Sequence, residues 1–109
     1  MLDYFIQGIF VLLISFSPLE IMQFYYTYIL KSDIDGNLYT GCTSDLQKRL
    51  NDHNNGNVRS TCERRPFELI YYEASRNQQD AYAREKYLKS GMGKRYINNR
   101  NKCFLSLTG

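Results

Sequence analysis

Two tyrosine-bearing segments, Tyr26-Thr27-Tyr28 and Tyr39-Thr40-Gly41, precede Arg49 and His53 in a short stretch of this chain. Phenols, a guanidinium and an imidazole placed together suit a phosphate and an attacking water. The guanidinium offsets charge growing on phosphoryl oxygens, and a phenol or imidazole orients the water or takes its proton. Arg49 and His53 stand at i and i+4, so on a helix they share one face, beside the stripe carrying Leu46 and Leu50. Tyr26 and Tyr28 alternate onto the same face of a strand, and Tyr39 on a partner strand can approach them. Each feature alone has an ordinary structural reading, since strand tyrosines commonly build cores and an i,i+4 pair has little specificity.

Glu85 is a separate anomaly. In the run Ala81 to Leu88, positions i, i+4 and i+7 are Ala81, Glu85 and Leu88, which sets a carboxylate in line with an apolar stripe. A buried charge needs a counter-charge. One reading is a salt bridge to a neighbouring Arg or Lys; the other is a hard-oxygen ligand for Mg²⁺ or Mn²⁺, which use one or two carboxylates plus waters and substrate phosphates.

The elements that must position these residues are legible from Phe24 onward. Phe24 to Lys31 is rich in aromatic and β-branched residues and predicts a strand. Asp33 to Asn37 supplies turn chemistry, and Leu38 to Thr43 returns as its hairpin partner. Ser44 with Gln47 fits a capping box that opens a helix ending near Asn54-Asn55-Gly56. A polar, basic loop from Asn57 to Pro66 leads to a third strand, Phe67 to Ala74, in which Tyr71 and Tyr72 read as core and strand cover. A second helix runs from Asn77 to Ser90, stopped by Gly91, and a short third helix from Lys94 to about Asn101. Residues 102–109 read as a tail. The expected fold is a small α+β domain: a three-stranded, mostly antiparallel sheet flanked by helices in the order ββαβαα. Gly91-Met92-Gly93-Lys94 lacks the spacing of a phosphate loop and reads as a helix stop followed by a restart.

Composition narrows the class of partner. The chain has 109 residues, enough for one domain with a modest core. Net charge is +3, but two of the 11 acidic residues, Asp3 and Glu20, lie in the apolar first 23 residues; the remainder carries 14 basic against 9 acidic side chains, or +5. That balance favours a polyanion. Arg59, Arg64 and Arg65 in the basic loop, with Lys94, are the candidate contacts to a phosphate backbone. Three widely spaced cysteines and a single histidine exclude a disulfide framework and a zinc cluster, and they point to reduced thiols in the cytoplasm. Tyr4 to Leu19 is apolar yet shorter than the roughly 20 residues of a spanning helix, and its flank carries Asp3 where a signal peptide has Lys or Arg. Residues 1–23 therefore read as an extension, either from a start codon upstream of Met22, or a membrane or signal segment, or a packed helix.

The order of these features resembles the GIY-YIG nuclease superfamily, in particular its small single-domain members related to the N-terminal catalytic domain of the bacterial excision-repair endonuclease. Tyr28 matches the last tyrosine of the first motif, and Tyr39-Thr40-Gly41 matches the second. The run Gly41, Thr43, Leu46, Arg49, His53 is similar to the family's helix signature, and Ala81 with Glu85 to its metal-site helix. Tyr26 replaces the first-motif glycine, Thr40 replaces an aliphatic residue, and Asn98 and Asn99 both stand near the place of a late asparagine. The resemblance covers Phe24 to about Asn101 and implies a metal-dependent endonuclease acting on DNA, with RNA left open, in repair or processing of structured DNA. It implies Mg²⁺ or Mn²⁺ on Glu85, Arg49 against the phosphoryl charge, no small-molecule cofactor, and a base drawn from Tyr28, Tyr39 or His53. A free tyrosine titrates near 10, so a tyrosine base needs a cation beside it. The alternatives are a nucleic-acid-binding module of the same fold with little cleavage activity, or a protein-interaction domain docking through tyrosines.

Overall fold

The computed structural model describes residues 22–108; the expectations for residues 1–21 and Gly109 lie outside the described residues. Three strands form one sheet in the order β2-β1-β3, with β1 Tyr25–Ser32, β2 Leu38–Thr43 and β3 Phe67–Ser75, and both pairings are antiparallel. The central place of β1 explains why its middle shows no polar alternation: Thr27, Tyr28, Ile29 and Leu30 are all buried because helices cover both faces.

One face carries α1, Leu46–Asn54, whose Leu46 and Leu50 pack with Tyr39 and Leu69 on a buried cluster of Tyr28, Leu30 and Phe67. The other carries α2, Gln78–Leu88, and α3, Gly91–Arg100, where Leu88 and Ile97 close on Ile29 with Leu38, Ile70 and Tyr71 around them. The two helices approach so closely that a side chain at Gly93 would overlap the backbone of Tyr87 and Leu88. A short α4, Lys102–Thr108, follows.

Several details differ from the sequence reading, among them α2, which ends at Leu88 and not at Ser90. The cap of α1 is Asp45, not Ser44: its carboxylate accepts from Lys48 N at 3.1 Å, and Gln47 turns away to Asn51 at 3.3 Å, so no capping box forms. Thr43 fixes this choice by accepting from the Asp45 amide at 3.1 Å. Helix α3 starts at Gly91, three residues earlier than expected, because Ser90 caps it through Gly93 N. Residues 102–108 are helical instead of a tail, joined to α3 through Asn101, whose amide donates to Ile97 O. Within the loop, Cys62–Arg64 forms a turn of 3₁₀ helix. No helix among the described residues is long and apolar enough to cross a membrane.

Candidate active site

Tyr28 is the centre of the site, and its position follows from strand register. It stands opposite Gly41 of β2 on one side and Tyr72 of β3 on the other. Its phenol reaches over Gly41, where even a methyl group would overlap the ring and hydroxyl. The glycine of the Tyr39-Thr40-Gly41 segment is thus a packing requirement of the Tyr28 side chain.

Helix α1 brings Arg49 and His53 to that hydroxyl. Arg49 Nε donates to the Tyr28 phenol oxygen at 3.4 Å, and His53 Nε2 lies 2.9 Å from the same oxygen. Tyr39 completes the cluster, its ring centroid 5.0 Å from His53 and 6.4 Å from Tyr28. Asn54 anchors the end of α1 by bonding both the N–H and the C=O of Phe67, which holds the helix in register with the sheet. Four of the five residues expected to carry the chemistry therefore meet in one place.

Their environments differ. Tyr28 is 1 % exposed and His53 fully buried, while Tyr39 is only half-buried. Burial pushes the Tyr28 phenol up to about 12, against an opposing pull from Arg49. Burial, reinforced by the Arg49 charge, holds His53 at about 4, so the imidazole is neutral at physiological pH. The phenol hydrogen bond in turn raises the pKa of Arg49, which stays a cation.

Glu85 comes from the opposite face of the sheet. Ala81 and Leu88 of α2 are buried, Thr27 Oγ1 donates to Ala81 O at 3.1 Å, and Glu85 lies on that packed stripe with its side chain 22 % exposed. A second clamp orients the helix: Arg84 grips Glu73 of β3 through Nε and Nη2 at 2.9 to 3.2 Å, with Tyr87 and Tyr96 rings over the guanidinium. The Glu85 charge reaches the Tyr28 phenol and the Cys42 thiol, adding to the burial that raises both. The carboxylate pairs with Lys89 at 3.1 Å, the salt bridge that one reading of the sequence anticipated. Among the described residues no three acidic, histidine or cysteine side chains cluster as a metal cage. A single partly exposed carboxylate still fits a divalent ion of the kind that keeps most of its waters and takes further oxygens from substrate.

Several expected residues lie elsewhere. Tyr26 is not part of the cluster; it opposes Thr43 and packs edge-on against Tyr72 at 5.9 Å. Tyr72 is 53 % exposed, so it is not core. Of the basic loop, Arg64 is held by Asp35 at 2.7 Å and by the Phe67 ring, and Arg65 lays its guanidinium against Gly56, in the space that a side chain there would fill. Arg59, Arg65 and Lys94 are exposed. Lys94 and Asn98 line a cavity of about 430 Å³ beside Thr40 on the outer strand. Sequence reasoning missed Thr61, read as part of a polar loop yet 1 % exposed, with its hydroxyl 2.7 Å from His53 Nδ1. The only signal available was a threonine among charged residues near the sole histidine.

This sheet, carrying two motif tyrosines with an arginine helix on one side and a glutamate helix on the other, has the features of a known catalytic domain. The GIY-YIG catalytic domain family matches residues 24–101, and the chain belongs to that family, a family of nucleases. Its relatives include UPF0213 proteins. One from Clostridium perfringens is 46 % identical over 65 residues, covering 59 % of this chain and 69 % of the relative; one from Bacillus pumilus is 45 % identical, covering 61 % and 67 %. The solution structure of a UPF0213 protein from Bacillus halodurans aligns with a TM-score of 0.45 at 32 % identity, covering 70 % of this chain and 83 % of that one.

Proposed function

We propose that this protein is a Mg²⁺- or Mn²⁺-dependent endonuclease that hydrolyses phosphodiester bonds in DNA. The observation that carries the reading is the convergence of Arg49 and His53 on the hydroxyl of the buried Tyr28, with the Tyr39 ring packed against His53. Family membership supports DNA as the partner.

The residues divide the work by exposure and protonation. Arg49 is held through Nε by Tyr28 and interacts with the Tyr39 hydroxyl as well, and its guanidinium would meet phosphoryl oxygens as charge grows on them. Tyr28, buried and pushed to about 12, is a poor base; it acts as a strut that sets the guanidinium. His53 has both ring nitrogens within hydrogen-bond distance of protein groups and is shut off from solvent, so it does not meet water directly. Tyr39 is the most exposed of the three candidates, Tyr28, Tyr39 and His53, and would orient the attacking water. Glu85 would hold the divalent ion, which when bound supplies Lewis-acid polarisation of the phosphoryl group and a more acidic water. Lys94 and the exposed Arg59 and Arg65 would contact the backbone, whereas Arg64 is already committed to Asp35.

The test is cleavage of a panel of nicked, branched and single-stranded DNAs with Mg²⁺ or Mn²⁺, comparing the native chain with Glu85→Gln. Metal-dependent cleavage that disappears in a folded Glu85→Gln variant supports the reading. Absence of cleavage by the native chain on every substrate, or full activity in the variant, rejects it.

A further inference from the structure

Thr61 has no place in the chemistry above, although it is among the most deeply buried polar residues of the chain. Its hydroxyl lies 2.7 Å from His53 Nδ1 and within reach of the Val58 carbonyl at 3.4 Å. On the other side of the imidazole, Nε2 lies 2.9 Å from the Tyr28 phenol oxygen, which also receives the Arg49 Nε–H.

A count of donors and acceptors fixes the direction of this chain. Arg49 only donates, so the Tyr28 oxygen accepts from it and the Tyr28 hydroxyl proton needs an acceptor. The acceptor within reach is His53 Nε2, which must then carry no proton. A neutral imidazole with a bare Nε2 carries its proton on Nδ1 and donates it to Thr61 Oγ1, and the Thr61 proton passes to Val58 O, which can only accept. Every group is then satisfied, in agreement with the finding that no buried side-chain nitrogen or oxygen among the described residues lacks a partner. The opposite tautomer gives the phenol two donors and strands its proton in the interior. Burial and the Arg49 charge both disfavour the doubly protonated ring.

We propose that Thr61 is a positioning residue: with its proton given to Val58 O, its hydroxyl accepts from His53 Nδ1 and so secures the Nδ1–H tautomer that leaves Nε2 to take the Tyr28 proton and the Tyr28 oxygen to receive Arg49. The tautomer stands on geometry alone; its effect on catalysis rests on the nuclease reading. Thr61 touches no substrate and acts three links away from the guanidinium that does.

His53 is the sole histidine in the chain, so an imidazole ¹H–¹⁵N correlation spectrum of the full-length ¹⁵N-labelled protein reports on it without ambiguity. The native protein is expected to show a protonated, pyrrole-like Nδ1 and an unprotonated, pyridine-like Nε2. Thr61→Ser keeps the hydroxyl and should preserve that pattern; Thr61→Val removes the acceptor for Nδ1–H and should mix or invert it. Displacing the Arg49 fork by a fraction of an ångström should lower kcat by about tenfold with KM little changed, and Thr61→Ser should restore it. A native spectrum with the proton on Nε2 overturns the proposal, as does Thr61→Val with a native spectrum. If Thr61→Val does not fold, the native spectrum and Thr61→Ser still decide it. The spectrum is read without any cleavage, so a native Nδ1–H tautomer in a protein inactive on all DNAs would remove the nuclease reading and leave the positioning role of Thr61 in place.

Discussion

The two faces of the sheet contribute to the site in opposite ways. On the α1 face, Tyr28, His53 and Thr61 form a dry chain of hydrogen bonds that ends on Arg49, each member fixed by packing. On the α2 face, Glu85 stands partly exposed with an exposed partner, Lys89, whose side chain is 56 % exposed. One half is fully hydrogen-bonded and dry; the other pairs a carboxylate with an exposed ammonium. A buried polar chain is rigid because any break strands a group without water, whereas a surface ion pair is worth little and exchanges easily. Preorganisation on one side and exchangeability on the other are what the proposed nuclease reading would require of a phosphate grip and a cation site.

The largest effect that can sharpen this contrast is on catalysis. Arg49→Ala should lower kcat on a DNA cleaved by the native protein by about 10²–10³-fold, as the loss of one preorganised donor does elsewhere. Manganese binding, followed by calorimetry, should persist in that variant because Glu85 is untouched. Persistent cleavage in folded Arg49→Ala would place the phosphate grip elsewhere.

Next in size is the acid limb of stability, which the rigid face should dominate. The folded pKa of His53, at about 4, lies below its ordinary value of 6.5, so the unfolded chain binds the extra proton more readily. Stability carried by the neutral ring is present in full above pH 6.5 and is lost as pH falls from there toward 4, by an amount on the order of 3 kcal/mol. Urea unfolding at stepped pH should show this loss in the native chain. A His53→Gln variant should be less stable at pH 7 and flatter between pH 6.5 and 4; an unchanged slope would mean that carboxylates elsewhere carry it.

Gly41→Ala tests the same face by packing. A methyl group placed against the Tyr28 phenol should cost about 1–3 kcal/mol in urea unfolding, a penalty of the kind seen for overpacked cores. A native-like midpoint would show that Tyr28 can shift without loss, and the α1 face would then be softer than its hydrogen bonds suggest.

The smallest effect belongs to the other face. Lys89→Ala removes the ammonium that shares Glu85, so manganese affinity should rise by about twofold, in line with the few tenths of a kcal/mol that exposed i,i+4 pairs contribute. Thermal stability should hardly move. A weaker affinity would mean that Lys89 orients the carboxylate instead of competing for it.

The strands were readable from sequence because aromatic and β-branched runs bounded by turn residues have few alternative uses, and all three observed strands match within about a residue at each end. Helix ends were harder. Ser44 and Asp45 are both good caps, and the choice depends on the Thr43 hydroxyl, a contact that residue types alone do not reveal. Gly91 normally ends helices, yet here it begins one, because the Ser90 hydroxyl caps the first turn through Gly93 N. For the site, spacing put Arg49 and His53 on one face and Glu85 on a packed stripe, and both placements stand. Thr61 was not legible, because its role depends on the loop folding back eight residues to the histidine. The arginines of that loop looked alike in sequence; Asp35, 29 residues away in the chain, together with Asn37 O and the Phe67 ring, sets Arg64 apart from Arg59 and Arg65.

The placement of Tyr28 in the middle strand, hydrogen-bonded through neighbours on both sides, also bears on how the site moves. A residue at a sheet edge or on a terminal helix can open locally, but amides of a doubly paired central strand exchange with solvent only when the whole domain opens. The Tyr28 amide should therefore be among the slowest to exchange deuterium, at the rate of global unfolding, while those near Lys89 and in α4 exchange by fraying. The tyrosine that holds Arg49 and His53 together is thus tied to the cooperative unit of the fold: whatever loosens it, in a variant or at high temperature, must loosen the entire domain.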